Sequence, residues 1–286
     1  MLQNPATLKQ IRLHLLEELR QIYTENESDS ITRLILEHVG YQLSDAIHDP
    51  GRLPAPSVLE QIRAIVTDMQ SGQPIQYVLG ECNFGDLKIK VNRDVLIPRP
   101  ETEELVEHIK THSPSSPEKI IDLGTGSGCI ALALKQIFPD AEIWGVDISR
   151  RALALAEENG RNNGLQVSWR ELDLLEERPM VPGKPFSLVV SNPPYVMHSE
   201  RALMARHVRD FEPESALFVT DEDPLIFYRA IASFCKTHLA DSGELWVEIN
   251  EQLGKETAKL LKKEGFGWIE ILRDIHEKER YIHARK

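Results

Sequence analysis

The sequence has few cysteines and no long apolar run. Its 286 residues include three widely spaced cysteines, Cys82, Cys129 and Cys235, which form no CxxC pair. This spacing provides neither a disulfide framework nor a metal site, and it favours a reducing, cytoplasmic location. No apolar run reaches the roughly 18 residues of a membrane span, and the N-terminus lacks the basic-then-apolar pattern of a signal peptide. These absences predict a cytoplasmic protein with no membrane partner and no metal ion.

Basic residues are outnumbered by acidic ones. The chain has 33 Lys and Arg residues against 45 Asp and Glu residues, a formal net charge of −12 at pH 7. Proteins that hold nucleic acid by its phosphates usually present a basic surface. The charge therefore argues against a direct nucleic-acid partner, although a local basic patch is compatible with it.

Residues 1–75 are predicted to form a small helical domain. The first helix is indicated by an apolar stripe at three- and four-residue spacing, made of Leu8, Ile11, Leu15, Leu19 and Ile22. Residues 28–30 (SDS) offer caps for a second helix, and residues 57–60 (SVLE) have the form of a capping box for a third. Gly72 and Pro74 end the third helix.

Residues 76–98 are predicted to form a β-hairpin linker. The segments 76–80 and 87–91 look like short strands on either side of a turn at Gly85 and Asp86. The third region, residues 99–286, opens with a helix that carries acidic residues in its first turn, where the helix dipole favours negative charge.

From residue 119 onward, strands and helices alternate. Strands are predicted over residues 119–123, 142–146, 166–171, 186–191, 244–249, 267–273 and 280–285. Helices are predicted over residues 128–137, 150–163, 224–240 and 252–264. This alternation is typical of an α/β fold with a mostly parallel sheet covered on both faces. The last two strands are joined by a short link and should pair antiparallel.

A glycine-rich turn, DLGTGSG, follows the first of these strands. Its glycines let the backbone pass close to a ligand and adopt positive φ. The third glycine, Gly128, comes one residue too early for the dinucleotide fingerprint, and no Lys-Ser/Thr pair follows as in a P-loop. Asp147 ends the next strand, where its carboxylate can accept both hydroxyls of a ribose. A tight turn without a ligand would explain the glycines alone, but together with Asp147 they favour an adenosine cofactor.

The stretch SNPPY, residues 191–195, follows the apolar run 186–190. Two consecutive prolines can neither continue a helix nor donate to a sheet ladder. Ligands of open α/β sheets bind outside the carboxyl ends of the strands, so Asn192 and Gly126 should open onto one crevice. A stiff turn that merely ends the strand is the alternative explanation.

The chemistry that SNPPY suggests is methyl transfer to a planar nitrogen. An amide or exocyclic amine nitrogen is a poor nucleophile, because its lone pair is delocalised. We predict that the Asn192 side-chain oxygen and the Pro193 carbonyl accept its two N–H groups, and that Tyr195 lies against its flat face. The predicted catalytic residues are Asn192, Pro193 and Tyr195, and the predicted substrate-binding residues are Asn192, Pro193, Pro194 and Tyr195.

The glycine spacing with Asp147 resembles the nucleoside-binding end of class I S-adenosylmethionine methyltransferases. The resemblance implies that Asp122 lies near the methionine amino group of the cofactor and Asp173 near the adenine amine, with Leu174 as an apolar wall. The implied cofactor-binding residues are Asp122, Gly124, Thr125, Gly126, Ser127, Gly128, Asp147, Asp173, Leu174 and Asn192. The implied fold is Rossmann-like, with a seven-stranded sheet and an antiparallel terminal strand.

Five segments, in order along the chain, resemble the peptide chain release factor glutamine N5-methyltransferases (the HemK or PrmC family). They are residues 74–80, 95–106, 122–131, 191–195 and 209–217. The resemblance implies methyl transfer from S-adenosylmethionine to the glutamine of the Gly-Gly-Gln loop in class 1 release factors, leaving S-adenosylhomocysteine. It also implies that the helical domain recognises the release factor, and we expect the enzyme to be a monomer.

Two other functions remain compatible with the residues. SNPPY-type motifs also occur in adenine-N6 nucleic-acid methyltransferases, and a fold alone never excludes a non-catalytic binding module. Whether Arg99, Glu101 and the loop at residues 211–213 shape the substrate mouth is left open by the sequence.

Overall fold

The structure is a computed structural model that describes residues 6–113, 117–177, 179–183 and 185–286. The chain divides into two compact units, the first ending at Gly80 and the second spanning Glu81–Lys286. Within the described ranges, no helix combines the length and apolarity needed to cross a membrane. Those ranges also hold no cluster of three or more His, Cys, Asp or Glu side chains placed to bind a metal ion.

The first unit is helical. Its helices are α1 (Leu8–Leu19), α2 (Glu25–His38), α3 (Leu43–His48), α4 (Pro56–Gln70) and α5 (Ile75–Leu79). The predicted stripe of α1 is buried from Leu8 to Leu19, whereas Ile22 lies beyond the helix and is half exposed. These side chains pack on apolar residues of α2 and α4, so that one hydrophobic core holds the unit together.

Two predicted helix starts were wrong. Helix α2 begins after Thr24, whose hydroxyl accepts from the Glu27 N–H while the Glu27 carboxylate accepts from the Thr24 N–H. This capping box forms one turn before residues 28–30, which lie inside the helix. Helix α4 begins at Pro56 rather than after Ser57, because proline lacks the N–H that the first helical position leaves unpaired.

The predicted strand at residues 76–80 is a short helix. Pro74 has φ −58° and starts α5, and Gly80 ends it in the left-handed conformation with φ 74°. The hairpin itself is present but lies further along the chain, as β1 (Glu81–Phe84) and β2 (Leu87–Lys90), paired antiparallel around Gly85. Proline and glycine thus mark the two ends of a helical turn here.

The second unit is built on a large mixed sheet. Its helices are α6 (Pro100–His112), α7 (Cys129–Ile137), α8 (Arg150–Asn163), α9 (Arg206–Phe211), α10 (Glu214–Leu217), α11 (Ile226–His238) and α12 (Gly254–Lys263). Its further strands are β3 (Lys119–Leu123), β4 (Glu142–Asp147), β5 (Ser168–Glu171), β6 (Phe186–Ser191), β7 (Val196–Met197), β8 (Phe218–Val219), β9 (Leu239–Glu248), β10 (Trp268–Arg273) and β11 (Glu279–Arg285). A 3-10 helix spans His198–Leu203.

The large sheet has seven strands in the order β10-β11-β9-β6-β3-β4-β5. Neighbouring strands are parallel except that β11 pairs antiparallel with both β9 and β10. The α/β class, the mostly parallel sheet and the antiparallel terminal strand are therefore confirmed. β3 is buried along its whole length, as expected for a central strand with both faces covered.

The strand order reverses between β3 and β6. After β3 the chain builds β4 and β5 on one side, and then crosses back to place β6 on the other side. The register sets Leu123 opposite Ser191, at the carboxyl ends of the two strands. The glycine turn and SNPPY therefore leave the sheet side by side, at the switch point where α/β folds bind ligands.

Candidate active site

A cavity of about 310 Å³ opens at the carboxyl ends of β3, β4, β5 and β6. Segments that follow these strands form much of its wall, namely Gly124–Ser127, Asp147–Ser149, Leu172–Leu175 and Asn192–Pro194. Val95, Leu96 and Pro98 also line the cavity, as do residues of the segment around Pro213. The predicted cofactor loop and the predicted catalytic asparagine therefore share one cavity.

Gly124 and Gly126 shape the floor of this cavity. Their φ angles are 74° and 53°, a conformation that side chains disfavour. A Cβ built on either glycine would meet no atom within 4 Å, so both face open space. Gly128 differs, because a Cβ there would lie 2.9 Å from the Trp169 ring and 3.0 Å from Cβ of Ala156. The first two glycines leave room for a ligand, whereas Gly128 lets α7 pack closely on its neighbours.

Asp147 lies at the cavity wall where β4 ends. Its Oδ2 accepts from the Gly126 N–H at 2.9 Å, and its Oδ1 accepts from the Ser149 N–H at 2.8 Å. Burial raises the pKa of this carboxyl. Each carboxylate oxygen has a second lone pair, so Asp147 can hold the glycine turn and still accept ligand hydroxyls.

Asp122 lies behind the glycine turn and does not line the cavity. Its side chain is fully buried, and its Oδ2 accepts from the Thr125 hydroxyl at 2.6 Å. Burial raises its pKa to about 7. Thr125 itself lines the cavity, so the contact visible here is support of the turn. A direct contact with the cofactor's amino group remains a prediction.

Asp173 and Leu174 both line the cavity at the loop after β5. Asp173 Oδ1 accepts from the Leu175 N–H at 2.8 Å, which holds this turn in shape. Ile148 and Leu175, which sequence analysis missed, also line the cavity and are 60% and 46% exposed. Large exposed apolar side chains beside a cavity provide surface for a flat ring. The sequence could have identified these two residues, because they directly follow the predicted site residues Asp147 and Leu174.

Asn192, Pro193 and Pro194 line the same cavity. The Asn192 side-chain Nδ2 donates to the hydroxyl of Thr102 at 3.0 Å. The Thr102 hydroxyl in turn donates to Oε2 of Glu248 at 2.8 Å. Sequence analysis missed both partners. The acidic Glu248, at the end of the apolar part of β9, could have indicated a functional residue.

Tyr195 is not among the residues that line the cavity. Its hydroxyl donates to Oε1 of Glu248 at 2.9 Å, and its ring packs against the hydrophobic core. Burial and the neighbouring Glu248 carboxylate raise the pKa of this phenol well above its usual value. Contact of the ring with the flat face of a substrate amide therefore remains a prediction.

A partly buried ion pair joins two segments whose neighbours line the cavity. The Arg99 guanidinium donates to Oε1 of Glu212, and the Glu212 Oε2 accepts from the Ile97 N–H at 3.1 Å. The Glu212 side chain is fully buried. Arg99 and Glu101 do not line the cavity, but their neighbours Pro98 and Thr102 do, as does Pro213 beside Glu212. Arg99 and Glu212 thus hold the cavity walls in place from behind.

Comparison with known proteins reveals close relatives. The family model of the methyltransferase small domain matches residues 100–215. The release factor glutamine methyltransferase of Flavobacterium psychrophilum is 38% identical over 281 residues, which cover 96% of this chain and 98% of the relative. The enzyme of the same name from Bacteroides thetaiotaomicron is 35% identical over 280 residues, covering 98% and 100%.

Solved structures share the fold at low sequence identity. A methyltransferase of Pyrococcus furiosus has a TM-score of 0.51 at 14% identity and covers 70% of this chain and 89% of its own. The hMettl16 catalytic domain, solved with an RNA hairpin, has a TM-score of 0.52 at 14% identity, covering 82% and 85%. At this identity the likeness concerns the fold alone.

The seven-stranded sheet, with a glycine turn and an acidic strand end at its switch point, defines a class I S-adenosylmethionine-dependent methyltransferase. Relatives more than 30% identical align with nearly the whole of this chain. The chain belongs to the release factor glutamine methyltransferase family.

Proposed function

We propose that this enzyme transfers a methyl group from S-adenosylmethionine to the side-chain amide nitrogen, N5, of the glutamine in the Gly-Gly-Gln motif of class 1 release factors. The products are N5-methylglutamine and S-adenosylhomocysteine. The names of the relatives supply the substrate. The observation that carries the chemistry is that Asn192 and Pro193 line the same cavity as Gly126 and Asp147.

The cavity residues fit the cofactor. The open space at Gly124 and Gly126 accommodates a ligand against the backbone, and the free lone pairs of Asp147 suit a ribose diol. Asp173 offers an acceptor for the adenine amine, and Leu174 offers an apolar wall. Thr125 and Ser127 complete the turn that Asp122 supports from behind. When bound here, S-adenosylmethionine supplies an electrophilic methyl group on a sulfonium.

Asn192 and Pro193 act on the substrate. The lone pair of an amide nitrogen is delocalised, so the enzyme has to hold the nitrogen in line and accommodate the positive charge that develops on it. The Asn192 side-chain oxygen accepts one N–H and the Pro193 carbonyl accepts the other. Orientation of this kind can contribute several of the roughly 7–11 kcal/mol available from well-placed reactants. The charged amide then loses its proton to solvent, so that a general base is not required.

The remaining parts of the chain have supporting roles in this proposal. The helical residues 1–75 recognise the release factor. Residues 76–98 connect the two domains and contribute Val95, Leu96 and Pro98 to the cavity, and residues 99–286 carry the rest of it. In this proposal the enzyme acts as a monomer without direct nucleic-acid contact. The net charge of −12 agrees with a protein substrate rather than a polyphosphate.

The decisive test is incubation with methyl-labelled S-adenosylmethionine and a class 1 release factor. Label should enter the wild-type factor and should be absent when the glutamine of its Gly-Gly-Gln motif is replaced by alanine. Label that persists in the alanine variant would overturn the substrate assignment, as would no label in the wild-type factor. Binding of S-adenosylhomocysteine, measured by calorimetry, checks the cofactor site separately.

A further inference from the structure

A buried chain of hydrogen bonds connects Asn192 to Glu248 through Thr102. Asn192 Nδ2 lies 3.0 Å from the Thr102 hydroxyl oxygen, which lies 2.8 Å from Oε2 of Glu248. Thr102 and Glu248 are 2% and 1% exposed. The three residues come from the turn after β6, the first turn of α6 and the end of β9. Elements distant in sequence therefore meet behind the catalytic asparagine.

The chain of bonds has a direction. An ionised carboxylate only accepts hydrogen bonds, so the hydrogen of the Thr102 hydroxyl points to Glu248. The hydroxyl oxygen then presents a lone pair to Asn192, and only the NH2 end of the amide can donate to it. This places Nδ2 against Thr102 and leaves Oδ1 of Asn192 available to the cavity. The oxygen and the NH2 group of an amide are similar in shape, so the hydrogen-bond network determines which way the Asn192 amide faces.

The same carboxylate also holds the second half of SNPPY. Its other oxygen, Oε1, accepts from the Tyr195 hydroxyl at 2.9 Å. The backbone carbonyl of Glu248 accepts from the Tyr228 hydroxyl at 3.2 Å, which fixes the strand end. Both Glu248 oxygens are therefore occupied by donors. Truncation of Glu248 would release Asn192 and Tyr195 together.

We propose that Thr102 and Glu248 are positioning residues that present Oδ1 of Asn192, rather than its NH2 group, to the substrate nitrogen. This inference rests on the proposed function, since a substrate NH2 group needs an acceptor at that point. If the Asn192 amide were rotated by 180°, its NH2 group would face the NH2 group of the substrate, and the two would repel each other.

The protonation of Glu248 controls the direction of the chain. A protonated Glu248 can donate to Thr102, whose hydroxyl can then donate to Asn192 Oδ1 and favour the wrong amide orientation. Burial raises the pKa of Glu248, and Glu101 adds to this rise. The hydrogen bonds from Thr102 and Tyr195, together with the charge of Arg280, act in the opposite direction and favour the ionised form. Three phenols, Tyr195, Tyr228 and Tyr281, also interact electrostatically with the carboxylate. Turnover should therefore decline on acidification. The decline should begin at a higher pH than it would if a glutamate with its usual pKa were protonated.

The test uses the full-length enzyme with Thr102→Val, Thr102→Ser and Thr111→Val. Valine keeps the shape of threonine without a hydrogen bond, and serine keeps the hydroxyl. Thr111 lies on the same helix and is exposed. Its hydroxyl bonds to Glu107, His108 and His112 of that helix, so Thr111→Val is the matched control. We expect Thr102→Val to lower kcat about 10- to 100-fold, with KM and the Kd of S-adenosylhomocysteine within about twofold. Thr102→Ser should recover most of kcat, and Thr111→Val should match the wild type.

A second measurement needs no substrate. The side-chain NH2 resonances of Asn192, followed by NMR on 15N-labelled enzyme, should shift with pH in step with the acid limb of kcat. In Thr102→Val they should stop following that titration. Unchanged kcat in Thr102→Val, failure of Thr102→Ser to restore it, or Asn192 resonances that ignore pH in the wild type would each overturn the inference.

The two proposals fail in different ways. If the wild type leaves release factors unmethylated, the proposed function is wrong, and the NMR titration still decides whether Thr102 and Glu248 orient Asn192. If release factors are methylated but Thr102→Val is fully active, only the positioning inference is wrong.

Discussion

Leu123 and Ser191 lie opposite each other at the carboxyl ends of β3 and β6, and the Ser191 hydroxyl donates to the Leu123 carbonyl at 2.7 Å. Each residue precedes one half of the site, Gly124 in the cofactor turn and Asn192 in SNPPY. Because both strands are buried and tied by a ladder, the two loops keep a fixed separation. Orientation of two reactants, the main task of this enzyme, depends on such rigidity.

Replacement of Asn192 by alanine should separate catalysis from cofactor binding. The variant loses the acceptor for the substrate amide, and we expect kcat to fall about 100- to 1,000-fold, as for removal of one well-placed polar group elsewhere. The Kd for S-adenosylhomocysteine, measured by calorimetry, should change no more than a few-fold, because the glycine turn and Asp147 are untouched. Equal losses in kcat and in cofactor affinity would contradict the assigned role of Asn192.

The sequence predicted the elements around the site better than the contacts within it. The glycine turn, Asp147 and SNPPY all follow buried strands, and strand periodicity together with the α/β switch-point rule is enough to bring them together. Thr102 and Glu248 were missed because they lie far apart along the chain and come together only through packing of α6 on β9. Such pairings depend on tertiary contacts that local patterns do not encode.

The errors at element boundaries have a different cause. Residues 28–30 and 57–60 have good capping sequences, but Thr24 with Glu27, and Pro56, start the same helices earlier. Residues 76–80 carry strand-forming side chains, yet Pro74 and Gly80 close them into one helical turn. In each case two signals compete within a few residues. A complete capping box decides the start of α2, whereas the backbone preference of proline or glycine decides the other two cases.

Replacement of Asp147 by asparagine should weaken the cofactor site. Both carboxylate oxygens already accept backbone N–H groups, from Gly126 and Ser149, whereas an amide has only one accepting oxygen. One of those bonds and one ribose acceptor would be lost, so we expect the Kd of S-adenosylhomocysteine to rise about 10- to 100-fold. Asp140→Asn, at an exposed position of the same unit, is the matched control. Calorimetry that gives the two variants the same affinity would rule out the proposed contact of Asp147.

Gly128 should tolerate a methyl group less well than Gly164. Both glycines have positive φ, 83° and 67°, so alanine costs about 1–2 kcal/mol of backbone strain at either position. At Gly164 the new Cβ would meet open space, whereas at Gly128 it would press on the Trp169 ring and on Ala156. Overpacking typically costs about 1–3 kcal/mol more. The free energy of unfolding, measured in urea, should therefore fall further for Gly128→Ala, and equal losses would show that Trp169 moves aside freely.

Asp122 should give the second unit a distinct pH dependence of stability. Its pKa is about 7 when folded and buried, against about 3.9 in an unfolded chain, so the folded state binds the proton more tightly. Its contribution to the free energy of unfolding is therefore complete below about pH 4 and is lost as the pH rises through 7. Between pH 5 and pH 8 the loss amounts to about 2–3 kcal/mol.

Asp122→Asn isolates this contribution. Asparagine cannot titrate but can still accept from the Thr125 hydroxyl, so the variant should gain about 2–3 kcal/mol relative to the wild type on going from pH 5 to pH 8. The measurement is urea unfolding of both proteins at the two pH values, with the exposed Asp86→Asn as the control. Other buried carboxyls such as Glu248 remain in every variant, and their effects cancel in the comparison. If the stabilities of Asp122→Asn and the wild type change in parallel with pH, the Asp122 carboxyl is already charged in the folded protein at pH 5 and the buried-acid argument is wrong.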